Sequence, residues 1–236
     1  MELLITICAR GGSKGIPGKN IRLLNGLPLI SYTIKHAQKF AEGKNAVIGL
    51  STDSDEIKKV AAEHGLLSAY ERPASLATDK AGKIETIKDL LEFEEKQRNI
   101  KFDYVLDLDV TSPLRTSSDL QEGFQLLVED KKALNLFSVN PASRNPYFNM
   151  VEQNENGYFG LVKKGEFLTR QSAPKVFELN ASFYFYRREF FEQQALTTIT
   201  SNSLVYVMPH ICFDLDHEID FEFLEYQLTN NKISFF

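Results

Sequence analysis

The sequence predicts an α/β protein built on a mainly parallel, doubly wound sheet, and three observations carry that prediction. Apolar, β-prone runs at Leu3 to Cys8, Ala46 to Ser51 and Phe102 to Leu108 alternate with helical patterns at 29–41, 54–64 and 83–98. The first run passes straight into a glycine-rich, cationic loop, ARGGSKGIPGKN at 9–20, and from there into a helix. The chain, at 236 residues, is long enough to enclose a substantial core.

The elements follow in order. Leu29, Ile30, Ile34 and Ala37 recur at helical spacing after the loop. Asp53, Ser54, Asp55 and Glu56 supply capping and acidic first-turn residues for the second helix, and Gly65 ends it. A third unit closes at TSPLRTSSDL, from which a helix runs to about Asp130. After Leu134 to Val139 the texture changes: residues 140–180 carry Pro141, Pro146 and Pro174, with short strands near 147–151 and 158–164. That stretch reads as an inserted β-hairpin arm. Regular structure returns at Asn180 to Arg187, where Phe183 and Phe185 are expected in the core and Asn180, Ser182 and Tyr184 toward the site. A strand near 204–208 and a helix from His217 to Leu228 complete a Rossmann-like sheet in a single domain, 1–236.

Composition excludes several function classes. A net charge of −5 argues against a nucleic-acid partner, so the basic loop is a local feature suited to a small anion. Cys8 and Cys212 form no disulfide framework or metal spacing and read as reduced thiols. His36, His64, His210 and His217 show no ligand-like spacing. Met1 to Arg10 does not read as a signal peptide, and no run approaches ~18 apolar residues, so no membrane span is expected and the protein is expected to be cytoplasmic.

The loop at 9–20 reads as a seat for phosphates. Glycines let backbone N–H groups turn toward a ligand, and Arg10, Lys14 and Lys19 add positive charge beside them. It is not the ATPase-type loop, because Ser13 stands where the first glycine belongs and Asn20 where the hydroxyl belongs. Nor is it a G-x-G-x-x-G fingerprint, since the glycines fall at 11, 12, 15 and 18. Asp214 and Asp216, at i and i+2 on extended chain, can share one hard cation; Asp216 is alternatively the N-cap of the last helix. Asp53 reads equally as a turn or cap aspartate and as a site residue.

ARGGSKGIPGKNI, STDS at 51–54, RP at 72–73 with LATD at 76–79, TSPLR at 111–115, RQSAP at 170–174 with NASFY at 180–184, and FDLDHEIDFE at 213–222 appear in one order. In these motifs the chain resembles the CMP-nonulosonate synthetases, the family of the acylneuraminate cytidylyltransferases. The wording of the first motif and of DVTSPLR is similar to the CMP-legionaminate subgroup. The resemblance implies Mg2+-dependent transfer of CMP from CTP to the anomeric hydroxyl of a nine-carbon keto sugar acid, with pyrophosphate released. It implies a catalytic set of Arg10, Lys19, Asp214 and Asp216. It further implies a nucleotide site of Ala9, Arg10, Gly11, Gly12, Ser13, Lys19, Asn20, Arg72, Ala77 and Asp79, with Arg72 on the base. Lys14 reads equally as a solvated lysine.

One departure stands out. Family members often carry Leu-Gln-Pro before Thr-Ser-Pro, whereas here Asp109 takes the place of the glutamine. Asp109 is therefore expected either to complete a metal site with Asp214 and Asp216 or to meet the sugar. The resemblance adds Arg170, Gln171, Asn180 and Tyr184 to the sugar site, and implies a homodimer whose arm, about 140–180, reaches the neighbouring active site. Two alternatives stand beside this reading: a ketodeoxyoctonate cytidylyltransferase, against which the RQSAP-to-NASFY sector argues, and a non-catalytic nucleotide-binding regulatory protein.

Overall fold

A computed structural model describes residues 1–12, 15–193, 195–233 and 235. Ser13 and Lys14, both read as part of the phosphate seat, lie outside the described residues. The strands are β1 (Glu2–Cys8), the two-residue pair β2 (Leu23–Leu24) and β3 (Leu27–Pro28), β4 (Asn45–Ser51), β5 (Tyr104–Leu108), β6 (Asn135–Pro141), β7 (Val151–Gln153), β8 (Phe159–Leu161), β9 (Phe177–Arg187) and β10 (Ser203–Val207). The α-helices are α1 (Leu29–Ala41), α2 (Asp55–Glu63), α3 (Lys83–Arg98), α4 (Ser117–Glu129) and α5 (Glu218–Thr229).

Six strands form the central sheet in the order β10-β6-β9-β5-β1-β4. β1 runs parallel to β4 and β5, and β10 parallel to β6, while β9 lies antiparallel between β5 and β6. The antiparallel strand follows from its connection. Parallel neighbours need a helical crossover, whereas β9 returns from the inserted arm and can lie directly against β6.

Both faces of the sheet are covered, which is why β1 reads as a near-continuous apolar run with Leu3, Leu4, Ile5 and Ile7 all buried. On one face Leu3, Ile5 and Ile7 pack with residues of α1, α2, α4 and α5. On the other, Leu4 joins Ile84, Ile87 and Leu91 of α3 with Phe190 and Phe191. β9 serves both layers: Phe183 and Phe185 face the first core, Tyr184 and Tyr186 the second.

Local caps set the ends of the helices around the sheet's carboxyl edge. The Ser54 hydroxyl accepts from the Ile57 N–H to open α2, and Thr116 with Asp119 forms a capping box at α4. At α5 the N-cap position is His217, and Asp220 accepts from the backbone N–H groups of His217 at 2.8 Å and Asp216 at 3.1 Å. That cap leaves the Asp216 carboxylate to other partners. Within 140–180, β7 and β8 form a separate two-stranded antiparallel sheet, shorter than the strands expected there, and every residue of both strands is exposed. Among the described residues no helix is long and apolar enough to cross a membrane.

Candidate active site

The loops leaving β1, β4 and β5 meet at the carboxyl edge of the sheet, where open α/β sheets bind ligands. They enclose a cleft of about 450 Å3 whose lining includes Arg10, Lys19, Asn20, Arg72, Asp79, Asp109 and Asp216. Two glycines of the phosphate loop have specific reasons. A Cβ on Gly15 would lie 2.6 Å from the Asp216 carbonyl oxygen, so only glycine lets the loop pass this close to the segment before α5. Gly18 adopts φ of 64°, a left-handed conformation that turns the chain into the short helix at Lys19–Ile21. Asn20, nearly buried, donates to the Arg10 carbonyl at 2.9 Å and clasps the loop on itself.

Acids hold the loop's donors. Arg10 pairs with Asp79 at 2.7 Å, the Gly11 N–H donates to Asp53 at 2.9 Å, and Lys19 donates to the Leu215 carbonyl at 2.7 Å with Asp216 at 3.4 Å. Asp53 is thus a loop partner, and Ser54 caps α2. Ala9 is buried and its N–H joins the loop to the Ser51 carbonyl. Gly12 is exposed, with open space at its α-carbon. Arg72 is buried, its guanidinium fixed by two donations to Ser51, at 2.8 Å to Oγ and 2.7 Å to the carbonyl. Ala77 lines an adjoining cavity on which Arg72 also borders.

Asp109 is fully engaged. Its Oδ1 accepts from the Thr111 N–H at 3.0 Å and hydroxyl at 2.9 Å, and its Oδ2 accepts from Lys83 at 2.9 Å. Burial would raise its pKa, but Lys83 and Thr111 outweigh burial and hold it below the usual value. Thr111 also accepts from the Leu215 N–H at 2.8 Å, which ties this turn to the Asp214–Asp216 segment. Asp214 behaves oppositely. Its Oδ1 is buried with no hydrogen-bond partner among the described residues. Burial first, then the charges of Asp109 and Asp216, push its pKa up. Among the described residues no three Asp, Glu, His or Cys side chains come together as a metal-holding group. Asp109, Asp214 and Asp216 are neighbours electrostatically without forming one.

The remaining expected sugar residues are dispersed. Asn180 is buried and its amide is spent on the protein, accepting from Ser138 at 2.6 Å and donating to Asn140 at 3.0 Å. A left-handed Ala181 at φ 59° lies where the register of β9 against β6 shifts, so the expected alternation from Asn180 to Tyr184 does not hold. Tyr184 is buried beneath Lys83, whose Nζ lies 4.2 Å from the ring centroid. Arg170 and Gln171 are exposed and border a different cavity, of about 670 Å3, at the base of the arm. Within one chain they do not line the cleft of Arg10 and Lys19.

Two residues of this region escape a reading from sequence. Arg115, 1% exposed, donates to the carbonyls of Asp109 and Ser182 and to Thr33 Oγ1, and so locks β5, β9 and α1 together. Burial pushes its pKa down to about 10. Lys83 is the other. Its one sequence signal is positional: a lysine opens α3, where the helix dipole disfavours a cation.

A family model described as Cytidylyltransferase matches residues 4–229. The chain is 41% identical over 234 residues to a CMP-N,N'-diacetyllegionaminic acid synthase of Campylobacter jejuni, covering 99% of this chain and 97% of that protein. It is 40% identical over 232 residues to the post-translational flagellin modification protein B of Campylobacter coli, covering 98% and 97%. Among solved structures, a CMP:2-keto-3-deoxy-manno-octonic acid synthetase complexed with CTP superimposes with a TM-score of 0.70 at 16% identity, over 98% of this chain and 100% of that one. That identity speaks for the fold alone. With a family model spanning nearly the whole chain and full-length relatives at this identity, the protein belongs to the cytidylyltransferase family and is a nucleotidyltransferase.

Proposed function

We propose that the protein transfers CMP from CTP to the anomeric hydroxyl of a nine-carbon keto sugar acid, legionaminate or a close derivative, and releases pyrophosphate. The observation that carries the reading is the convergence of Arg10, Lys19 and Arg72 with Asp109, Thr111 and Asp216 on one cleft. The name and full-length identity of the Campylobacter jejuni relative support the choice of sugar. A triphosphate replaces Asp79 at Arg10 and Asp216 at Lys19, so each cation exchanges a carboxylate for a phosphate oxygen. Arg72, already oriented by Ser51, donates a remaining N–H to the acceptors of cytosine. Asp214 and the released Asp216 are the residues that would hold Mg2+. Their chemistry fits: a hard ion takes one or two carboxylates together with substrate phosphates, and Asp214 offers a buried carboxylate oxygen that has no hydrogen-bond partner among the described residues. Bound there, the ion supplies charge neutralisation at the phosphates. The chain's own cations align the α-phosphate for in-line attack and stabilise the charge that develops.

The same reading makes the protein a homodimer, with the arm carrying Arg170 and Gln171 to the neighbouring cleft. Pyrophosphate release from CTP, measured against legionaminate, N-acetylneuraminate and ketodeoxyoctonate, tests the function directly. The expected result is the highest kcat/KM on legionaminate or a derivative, dependence on a divalent cation, and a loss of at least ~100-fold in Lys19→Ala and Arg10→Ala with folding retained. Preference for the eight-carbon acid would replace the sugar assignment, and absence of turnover would replace the enzymatic one.

A further inference from the structure

Lys83 lies where the sugar side of the cleft must be. The phosphate loop leaves β1; Arg72 sits on Ser51 at the end of β4, on one side of it. Lys83 sits on the other side, over β5 and β9, with Asp107 and Tyr184 directly paired across those strands. With the base on the β4 side and phosphates in the centre, the acceptor sugar is left the β5–β9 side.

The ammonium is held there by two acids. Nζ lies 3.0 Å from Asp107 Oδ2 and 2.9 Å from Asp109 Oδ2, and only the second contact has hydrogen-bond geometry. Asp107 is buried and also accepts from Thr6 at 2.7 Å. The lysine side chain retains 30% exposure and borders the cleft. An ammonium has three N–H donors; Asp109 takes one, and even with a second turned toward Asp107 one remains for a ligand. One positive charge against two carboxylates makes the spot net negative. A phosphate or substrate carboxylate is repelled there; an uncharged oxygen is not. A lysine placed against the helix dipole, opening onto a cleft, breaks a local rule in the way functional residues do.

We propose that Lys83 is a sugar-binding residue, donating its remaining N–H to an uncharged oxygen of the sugar acid, an acylamido carbonyl or a hydroxyl. The assignment rests on the function proposed above and names the part of the site that selects the sugar. It also moves the selecting contact from Asp109, which already accepts three hydrogen bonds from Lys83 and Thr111, to the group that Asp109 orients.

The test is steady-state pyrophosphate release by native protein, Lys83→Gln and the Lys83→Gln/Asp107→Asn double variant, with each substrate varied in turn and melting temperatures recorded. The double variant removes one negative charge with the positive one, so the spot keeps its native net charge and folding is expected to survive even if the single variant fails. In every variant that folds, KM for the sugar acid should rise ~10- to 100-fold, the scale of one charged hydrogen bond, while KM for CTP stays within ~3-fold. A larger penalty on a diacylated sugar than on one bearing hydroxyls assigns the carbonyl, and equal penalties assign a hydroxyl. A native-like sugar-acid KM in the double variant, or an equal rise in KM for CTP, overturns the assignment of Lys83 while native turnover keeps the function. A native protein inactive on every keto sugar acid overturns the function, and this assignment with it.

Discussion

At the scale of single residues, the cleft stores opposed charges that ligands rearrange. Arg10 and Lys19 rest on Asp79 and Asp216, whereas Asp214 has a buried oxygen with no hydrogen-bond partner among the described residues. Asp214 is therefore a site of stored cost. An acid whose folded pKa is raised stays protonated in the folded chain at pH values where the unfolded chain has already ionised. Its stabilising effect is complete below the ordinary aspartate value and is lost as pH rises through the raised one. At neutral pH, without metal, Asp214→Asn removes that loss. The expected outcome is a higher melting temperature than native in chelator, together with abolished turnover, the trade of stability for activity that functional sites show. A lower melting temperature for Asp214→Asn in chelator would mean that the carboxylate stabilises the ligand-free fold.

At the scale of elements, α4 carries a titratable contact at its N-terminal end. Its N-terminal acid, Asp119, accepts from the Thr116 N–H at 2.6 Å and hydroxyl at 2.7 Å and lies 2.9 Å from His210 Nε2. The other His210 ring nitrogen meets the Ile211 carbonyl at 3.0 Å, so both nitrogens face acceptors, as an imidazolium requires. The hydrogen bond to Asp119 raises the His210 pKa. The resulting stabilisation is present below the ordinary histidine value and fades as pH rises through the raised value. His210→Gln should flatten the dependence of melting temperature on pH as it rises above the ordinary histidine range. The cost in acid should stay below ~1 kcal/mol, because the pair is partly exposed and screened. Equal pH profiles for native and His210→Gln would show that another group carries the dependence.

For the whole molecule, the arm is the feature a lone chain leaves unexplained. Tyr158 is 74%, Phe159 67% and Leu168 95% exposed, all within the arm, whose two strands among the described residues pair only with each other. Apolar surface gathered in this way marks an interaction site. Under the proposed homodimer, native protein sediments at twice the chain mass and Phe159→Glu/Leu168→Glu at the chain mass. If Arg170 acts on the neighbouring cleft, Lys19→Ala and Arg170→Ala subunits, each impaired alone, recover turnover when mixed. A monomeric native protein would overturn the dimer, and mixing without recovery would overturn the contribution in trans.

Features that depend on neighbouring residues along the chain are legible in the amino-acid order. The alternation of strands and helices, the start of α3 and the extent of α1 follow from hydrophobic spacing and turn chemistry, which act over a few residues. The phosphate loop was legible because glycines, a proline and cations crowd into one short stretch, and the family could be read from motifs in order. Tertiary structure decided the rest, because it sets which distant groups share a dielectric environment. No local pattern shows that β9 enters antiparallel between β5 and β6. The pairing of Lys83 with Asp109 spans 26 positions and that of Arg115 with Thr33 spans 82. Asp109 and Asp214 look alike in sequence, both as candidate metal ligands. Only folding gives one a lowered pKa through Lys83 and Thr111 and leaves the other a buried acid with an oxygen unpartnered among the described residues, because a carboxylate's charge is governed by what is packed against it.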